Sequence, residues 1–145
     1  MAKLFIYYSH TGNGKLVADK LEKQGYEIRE IKPKRDIPKS FFLGVFFGGM
    51  YASFGAKFKL KEFDANLDAY DEVVIGSPVW AAKLSCPINT LLKKINLDGK
   101  KVSFILYSGS GEAEGAVATI NSLYKDCKIT ILKEPKKYSE ELEKI

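Results

Sequence analysis

The chain is poor in the residues that build metal centres and covalent frameworks. Its 145 residues include two cysteines, one histidine and one tryptophan. Cys86 and Cys127 stand in unrelated contexts with no C-x-x-C spacing, and His10 has no second histidine to work with. Neither a zinc site nor a disulfide framework is indicated, no metal ligand is expected, and a reducing compartment fits this composition. Long apolar runs are scarce too. The most hydrophobic stretch, Ser40 to Phe54, is interrupted by Gly44, Gly48 and Gly49 and is too short to span a bilayer. Met1 leads almost directly into Leu4-Phe5-Ile6-Tyr7-Tyr8, which leaves no room for a charged n-region, a long apolar region and a cleavage site. The expectation is therefore a cytoplasmic protein.

What is present is enough apolar material for one core. With 46% hydrophobic side chains, the chain reads as a single domain over residues 1–145, carrying an apolar and basic insertion around residues 36–61. The formal net charge is +5 and the charge is unevenly placed. Lys32, Lys34, Arg35, Lys39, Lys57, Lys59 and Lys61 face a single acid, Asp36, in that stretch, so one segment accounts for the whole excess. Such a patch attracts anionic partners in principle, but a solvated, solubilising face is the simpler reading. Nothing else resembles a nucleic-acid module, so no nucleic acid is expected as a partner.

Apolar runs of strand length alternate with amphipathic stretches of helix length. This is the pattern of repeated βα units around a parallel sheet. Strands are predicted at Lys3–Tyr8, Tyr26–Ile31, Glu72–Gly76, Lys101–Tyr107 and Lys128–Leu132. Helices are predicted at Gly14–Gln24, Pro87–Ile95 and Glu114–Lys125, with a short last helix at Tyr138–Ile145 capped by Ser139. The fold class is α/β: a three-layer, doubly wound, five-stranded parallel sheet. Near-continuous apolar character in the first, third and fourth strands marks them as interior, covered on both faces. Ligands of such sheets lie beyond the carboxyl ends of the strands, which directs attention to Ser9–Gly14, Ser77–Cys86 and Ser108–Gly115.

The first of these loops reads Ser9-His10-Thr11-Gly12-Asn13-Gly14-Lys15 and runs straight into a helix. Hydroxyls, glycines and an amide at a strand-to-helix turn form a concave donor set backed by the positive helix end, which suits a phosphate. An ordinary turn capped by Thr11 or Asn13 is the plain alternative. A triphosphate loop of the form G-x-x-x-x-G-K-[ST] fails at two positions, because Ser9 stands five before Gly14 and Leu16 follows Lys15. A dinucleotide fingerprint, Gly12-x-Gly14-x-x-Val17, lacks its third glycine, although Glu30 could imitate the ribose-binding acid. A phospho-receiver would need carboxylates where the chain has Tyr8-Ser9 and Gly76-Ser77.

Tyr7-Tyr8-Ser9-His10-Thr11-Gly12-Asn13-Gly14 resembles the [ST]-x-T-G-N phosphate loop of the flavodoxin family, and the resemblance continues in order through Gly76-Ser77-Pro78-Val79-Trp80 and Tyr107-Ser108-Gly109-Ser110-Gly111. It covers essentially the whole chain. The resemblance implies a flavodoxin-like strand order, 2-1-3-4-5, and one non-covalently bound FMN. It implies that Ser9, His10, Thr11, Gly12, Asn13 and Gly14 surround the phosphate, and that Ser77, Pro78, Val79, Trp80 and Ala81 flank a face or edge of the flavin. Backbone groups of Ser108, Gly109, Ser110 and Gly111 would meet the pyrimidine edge. No catalytic side chain is assigned.

Two departures from the family pattern bear on function. Many members place a glycine in the second loop, whose peptide turns toward the one-electron-reduced flavin; here Ala81 and Ala82 stand in that region, and positive φ is harder for alanine. The third loop also lacks the aromatic that often covers the second ring face, which leaves that face open to a substrate or to the apolar segment 41–54. That segment reads as a core crossover helix, a lid or partner surface, or, least favoured, a membrane-surface contact. The expected function is FMN binding with electron transfer to a redox partner protein or a small-molecule acceptor. The alternative is an FMN-dependent NAD(P)H:quinone-type oxidoreductase, and a lesser one is a flavin-free binding module on the same fold.

Overall fold

The computed structural model describes residues 2–10, 12–34, 59–80 and 82–145. Thr11, Ala81 and residues 35–58, which include the whole of the segment 41–54, lie outside the described residues.

A parallel sheet carries the fold. Its strands are β1 (Ala2–Tyr7), β2 (Glu27–Glu30), β3 (Tyr70–Trp80), β5 (Lys101–Ser108) and β6 (Lys128–Lys133), in the order β2-β1-β3-β5-β6. A two-residue strand, β4 (Lys83–Leu84), pairs antiparallel with the end of β3. With that short strand set aside, the order is the expected 2-1-3-4-5. The helices are α1 (Asn13–Lys23), α2 (Cys86–Leu92) and α3 (Glu114–Leu123), followed by a 3-10 turn at Ser139–Lys144.

Strand alternation explains both halves of the core. Along β1, Leu4, Ile6 and Tyr8 point to one face while Phe5 and Tyr7 point to the other. In β5, Phe104 and Leu106 join the first set, and Ile105 and Tyr107 the second. The first face packs on Ile88 and Leu91 of α2 and on Ala116 and Ile120 of α3. The second packs on Val17, Ala18 and Leu21 of α1, with Leu142 and Ile145 at its margin. Strands buried on both sides need apolar residues at every position, so the runs in β1, β3 and β5 show no polar alternation.

Three local expectations are revised. The third strand continues four residues past Gly76, so Ser77, Pro78, Val79 and Trp80 are strand, and Trp80 does not stand in a loop. The pairing of β1 with β3 ends at Tyr7 opposite Gly76, whereas pairing with β5 goes on to Pro78 opposite Tyr107. Beyond Gly76, one side of β3 is therefore an edge, where a residue without an N–H is tolerated. At the tail, Tyr138 occupies the position before the first turn, and no side chain caps it, so Ser139 does not serve as N-cap. α1 has Gly12 at its N-cap with no side-chain cap bond, so Asn13 does not fill that place, and Thr11 lies outside the described residues.

The segment between β2 and β3 is closed at its base. Pro33 bridges Leu60, Lys34 N–H donates to the Lys59 carbonyl at 3.0 Å, and Lys61 N–H donates to the Lys32 carbonyl at 2.9 Å. This brings Lys32, Lys34, Lys59 and Lys61, four of the seven basic residues, to one stem. No helix among the described residues is long and apolar enough to cross a membrane.

Candidate functional site

Register places the three candidate loops side by side. Tyr7 lies opposite Gly76 and Pro78 opposite Tyr107, so the ends of β1 and β5 flank residues 76–78 of β3, each one strand spacing of about 4.8 Å away. A further bond, Tyr8 N–H to the Gly76 carbonyl at 3.1 Å, carries the alignment one residue past the strand.

The first loop is braced from below. Gly12 sits at φ 96 in the left-handed region, and helix α1 begins at the next residue. Such a left-to-right succession turns consecutive N–H groups into a concavity that favours anions, and the helix end adds to it. The Ser9 hydroxyl accepts the Gly14 N–H at 3.1 Å, closing the turn on itself. Gly14 has no room for a side chain: a Cβ there would lie 2.6 Å from Tyr107 Oη and 2.8 Å from Ser9 Cβ. The Tyr107 hydroxyl donates to the Tyr8 carbonyl and fixes the loop's entry. Burial drives the Tyr107 pKa well above its ordinary range, so this hydroxyl keeps its proton. Beside it, burial and then the negative charge of Glu30 push Tyr7 up to about 12. His10 is exposed at the loop's tip, and its partial desolvation lowers its pKa, which favours the neutral ring. Tyr8, Ser9 and His10 line one side of a cavity of about 340 Å³, and Glu30, Ile31, Lys32 and Pro33 line the other.

The second loop is a hairpin. Val79 pairs with Leu84 and Trp80 with Lys83, and Ala82 lies between the paired segments. Ala82 holds φ 64, a positive value that an alanine adopts only when its surroundings fix it. Its carbonyl accepts the Ala116 N–H at 2.8 Å, which ties the hairpin to the first turn of α3. The Ser77 hydroxyl is turned inward, donating to the Pro78 carbonyl at 2.8 Å and meeting Ser85 Oγ at 3.0 Å, and it is fully buried. Trp80 is only 7% exposed, and its ring stands edge-on to Tyr8 with centroids 5.9 Å apart. In this position it belongs to the core.

The third loop is held mostly by its own atoms. Ser108 Oγ donates to the Glu112 carbonyl at 2.6 Å, and Ser110 Oγ accepts the Glu112 N–H at 3.2 Å. Gly111 holds φ 82. Gly109 and Ser110 are exposed, so the contacts this loop can offer outward come from backbone at those two residues.

A fourth segment meets the site that the sequence did not single out. Beyond β6, the Glu134 N–H donates to the Ser108 carbonyl at 3.1 Å, and the Lys136 N–H donates to Asn13 Oδ1 at 2.8 Å. Residues 134–136 thus touch both the first and the third loop. The signal was available, since the end of the fifth parallel strand lies on the same sheet edge as the other three loops. Among the described residues, no group of three or more histidines, cysteines and carboxylates is placed to hold a metal ion.

No family model matches the chain, and no curated protein does. Solved structures do match along nearly its whole length. A protein of Bacteroides eggerthii assigned as a flavoprotein superposes with a TM-score of 0.74 at 23% identity, over 99% of this chain and 97% of that one. A Bacteroides uniformis protein with the same assignment gives 0.73 at 24% identity, over 91% and 90%. A flavoprotein of Lactobacillus acidophilus, solved in complex with FMN, gives 0.67 at 21% identity, over 96% and 97%. Strand order, crossovers and these superpositions agree, and the chain has a flavodoxin-like fold.

Proposed function

We propose that the chain binds one FMN without a covalent bond at the carboxyl ends of β1, β3 and β5, and serves as a redox carrier. The observation that carries this reading is the first loop: a left-handed Gly12, a Gly14 too crowded for any side chain and a buried Tyr107 beneath them shape a tight turn at a helix N-terminus. The donor chemistry suits a phosphate monoester. The FMN held by the Lactobacillus acidophilus neighbour supports the choice of ligand.

In this reading the backbone of residues 9–14 receives the phosphate, and Pro78, Val79 and Trp80 bound one side of the ring. Gly109 and Ser110 present backbone to the ring's polar edge. When bound, FMN supplies one- and two-electron redox chemistry, and the protein contributes orientation, apolar cover and hydrogen bonds. The Ala82 carbonyl is already engaged by Ala116, so the hairpin is a fixed wall. Basic residues gathered at the stem beside the 340 Å³ cavity favour partners with acidic surfaces.

One observation favours the second reading, an FMN-dependent NAD(P)H:quinone-type oxidoreductase. The third loop offers no aromatic between Ser108 and Gly115, and its exposed Gly109 and Ser110 are small, which leaves room for a substrate over the ring. Titration of the apoprotein with FMN, followed by emission of the flavin, tests the binding; a linear signal without saturation removes the proposal. Anaerobic addition of NAD(P)H to the loaded protein separates the two readings, since a carrier is not reduced by it unaided and an oxidoreductase is.

A further inference from the structure

Resting on the reading of the first loop as a phosphate cradle, we propose that Lys136 makes the site selective for phosphorylated flavin by presenting its ammonium group to that loop. A methyl group added at Gly12 would lie 3.7 Å from Lys136 Cδ and 3.8 Å from its Nζ, so the lysine stem runs alongside the left-handed residue that opens the cradle. Its main chain is pinned at the same place, through the 2.8 Å bond from its N–H to Asn13 Oδ1. Residue 13 begins α1, so the contact is made where the helix end is positive and where an anion would sit.

The turn that delivers Lys136 is rigid by construction. Glu134 takes φ 34, its carbonyl accepts the N–H groups of Lys137 and Tyr138 at 2.8 and 2.9 Å, and its own N–H is held by the Ser108 carbonyl. Pro135 is buried and fixes the next φ. Lysine loses considerable rotamer freedom when ordered, and a stem already laid along Gly12 reduces that loss on binding. The need for a charge is plain. A phosphate monoester carries about −1.5 to −2 near neutral pH. The cradle's own histidine, His10, is biased toward its neutral form by partial burial. Riboflavin has the same ring and ribityl chain as FMN without the phosphate, so a charge at this point discriminates between the two.

The experiment is equilibrium titration of the full chain with FMN and with riboflavin, at low and high ionic strength, for the wild type and for Lys136→Met, Lys136→Gln and Lys136→Arg. The expected result is a loss of about tenfold in FMN affinity for the Met and Gln variants, with riboflavin affinity unchanged. The Arg variant should keep most of the affinity. Salt should weaken FMN binding to the wild type more than to the Met variant. Unchanged FMN affinity in both neutral variants overturns the inference, and so does a parallel loss for FMN and riboflavin, which would reveal a merely structural brace. A wild type that takes up no FMN removes the cradle itself and Lys136's part with it; neutral variants that match an FMN-binding wild type remove only the lysine.

Discussion

The first and third loops both carry serine and glycine after a buried strand, yet they differ in how far their support comes from elsewhere in the chain. The first leans on distant parts of the chain: Tyr107 from β5 beneath it, the Gly76 carbonyl of β3 beside it and the Lys136 N–H against Asn13. The third spends its hydroxyls on itself, Ser108 and Ser110 both closing on Glu112. A loop shaped by long-range packing keeps a defined concavity, whereas a self-closed loop offers an adaptable edge. The comparison teaches that similar residues take different roles according to what lies under them.

The strongest way to break this contrast is Gly14→Ala. The new methyl would press on Tyr107 and Ser9 at 2.6 and 2.8 Å, and Tyr107 is too well buried to yield. Overpacking of this kind costs about 1–3 kcal/mol, and FMN titration should show binding lost even where the fold survives. The same crowding does not exist at Ser110, which is exposed.

Tyr107→Phe should come next. Removing the hydroxyl leaves the Tyr8 carbonyl without that donor and costs about 1–3 kcal/mol, measured by urea unfolding. The tyrosines also set an alkaline limit. Tyr7 and Tyr26 are raised from 10.0 to about 12, and Tyr107 higher, so the folded state holds these protons more tightly than the unfolded chain does. Stability should be intact below pH 10 and fall as the pH climbs toward 12, with the melting temperature dropping over that window. Tyr7→Phe should flatten the fall; a melting temperature independent of pH there would remove the argument.

Ser9→Ala should have a smaller effect, about 1 kcal/mol, because one N–H at the start of α1 loses its acceptor. Ser110→Ala should have the smallest. The bond it removes lies on an exposed surface, and stability should change by no more than about 0.5 kcal/mol with FMN affinity nearly unchanged. A larger effect at Ser110 than at Ser9 would reverse the contrast between the two loops.

The fold was legible because its signals are local. Unbroken apolar runs announced the interior strands, and Gly12, Gly14 and the small residues around Ser108 marked turns at strand ends. Ser77-Pro78 misled for a local reason too: proline reads as a strand breaker, and only the one-sided pairing beyond Gly76 shows why it is tolerated. The orientation of Ser77 could not be read from sequence at all, since its partner Ser85 reaches it through a hairpin that pairs Val79 with Leu84. That Trp80 is buried against Tyr8 is likewise a tertiary fact. The strand order already put residues 134–136 at the right end of the sheet, but the pairing of Lys136 with Asn13 is tertiary too. Nothing near Lys136 in the chain hints that Asn13 is its neighbour.

That last contact links two distant moments of synthesis. The bond that braces Asn13 comes from a residue 123 positions later, after every strand of the sheet has been made. Until then the nascent chain holds the right residues in the right order without their clasp. The shape of the first loop is in this sense a product of the assembled sheet, and no fragment that stops short of residue 136 would hold it complete.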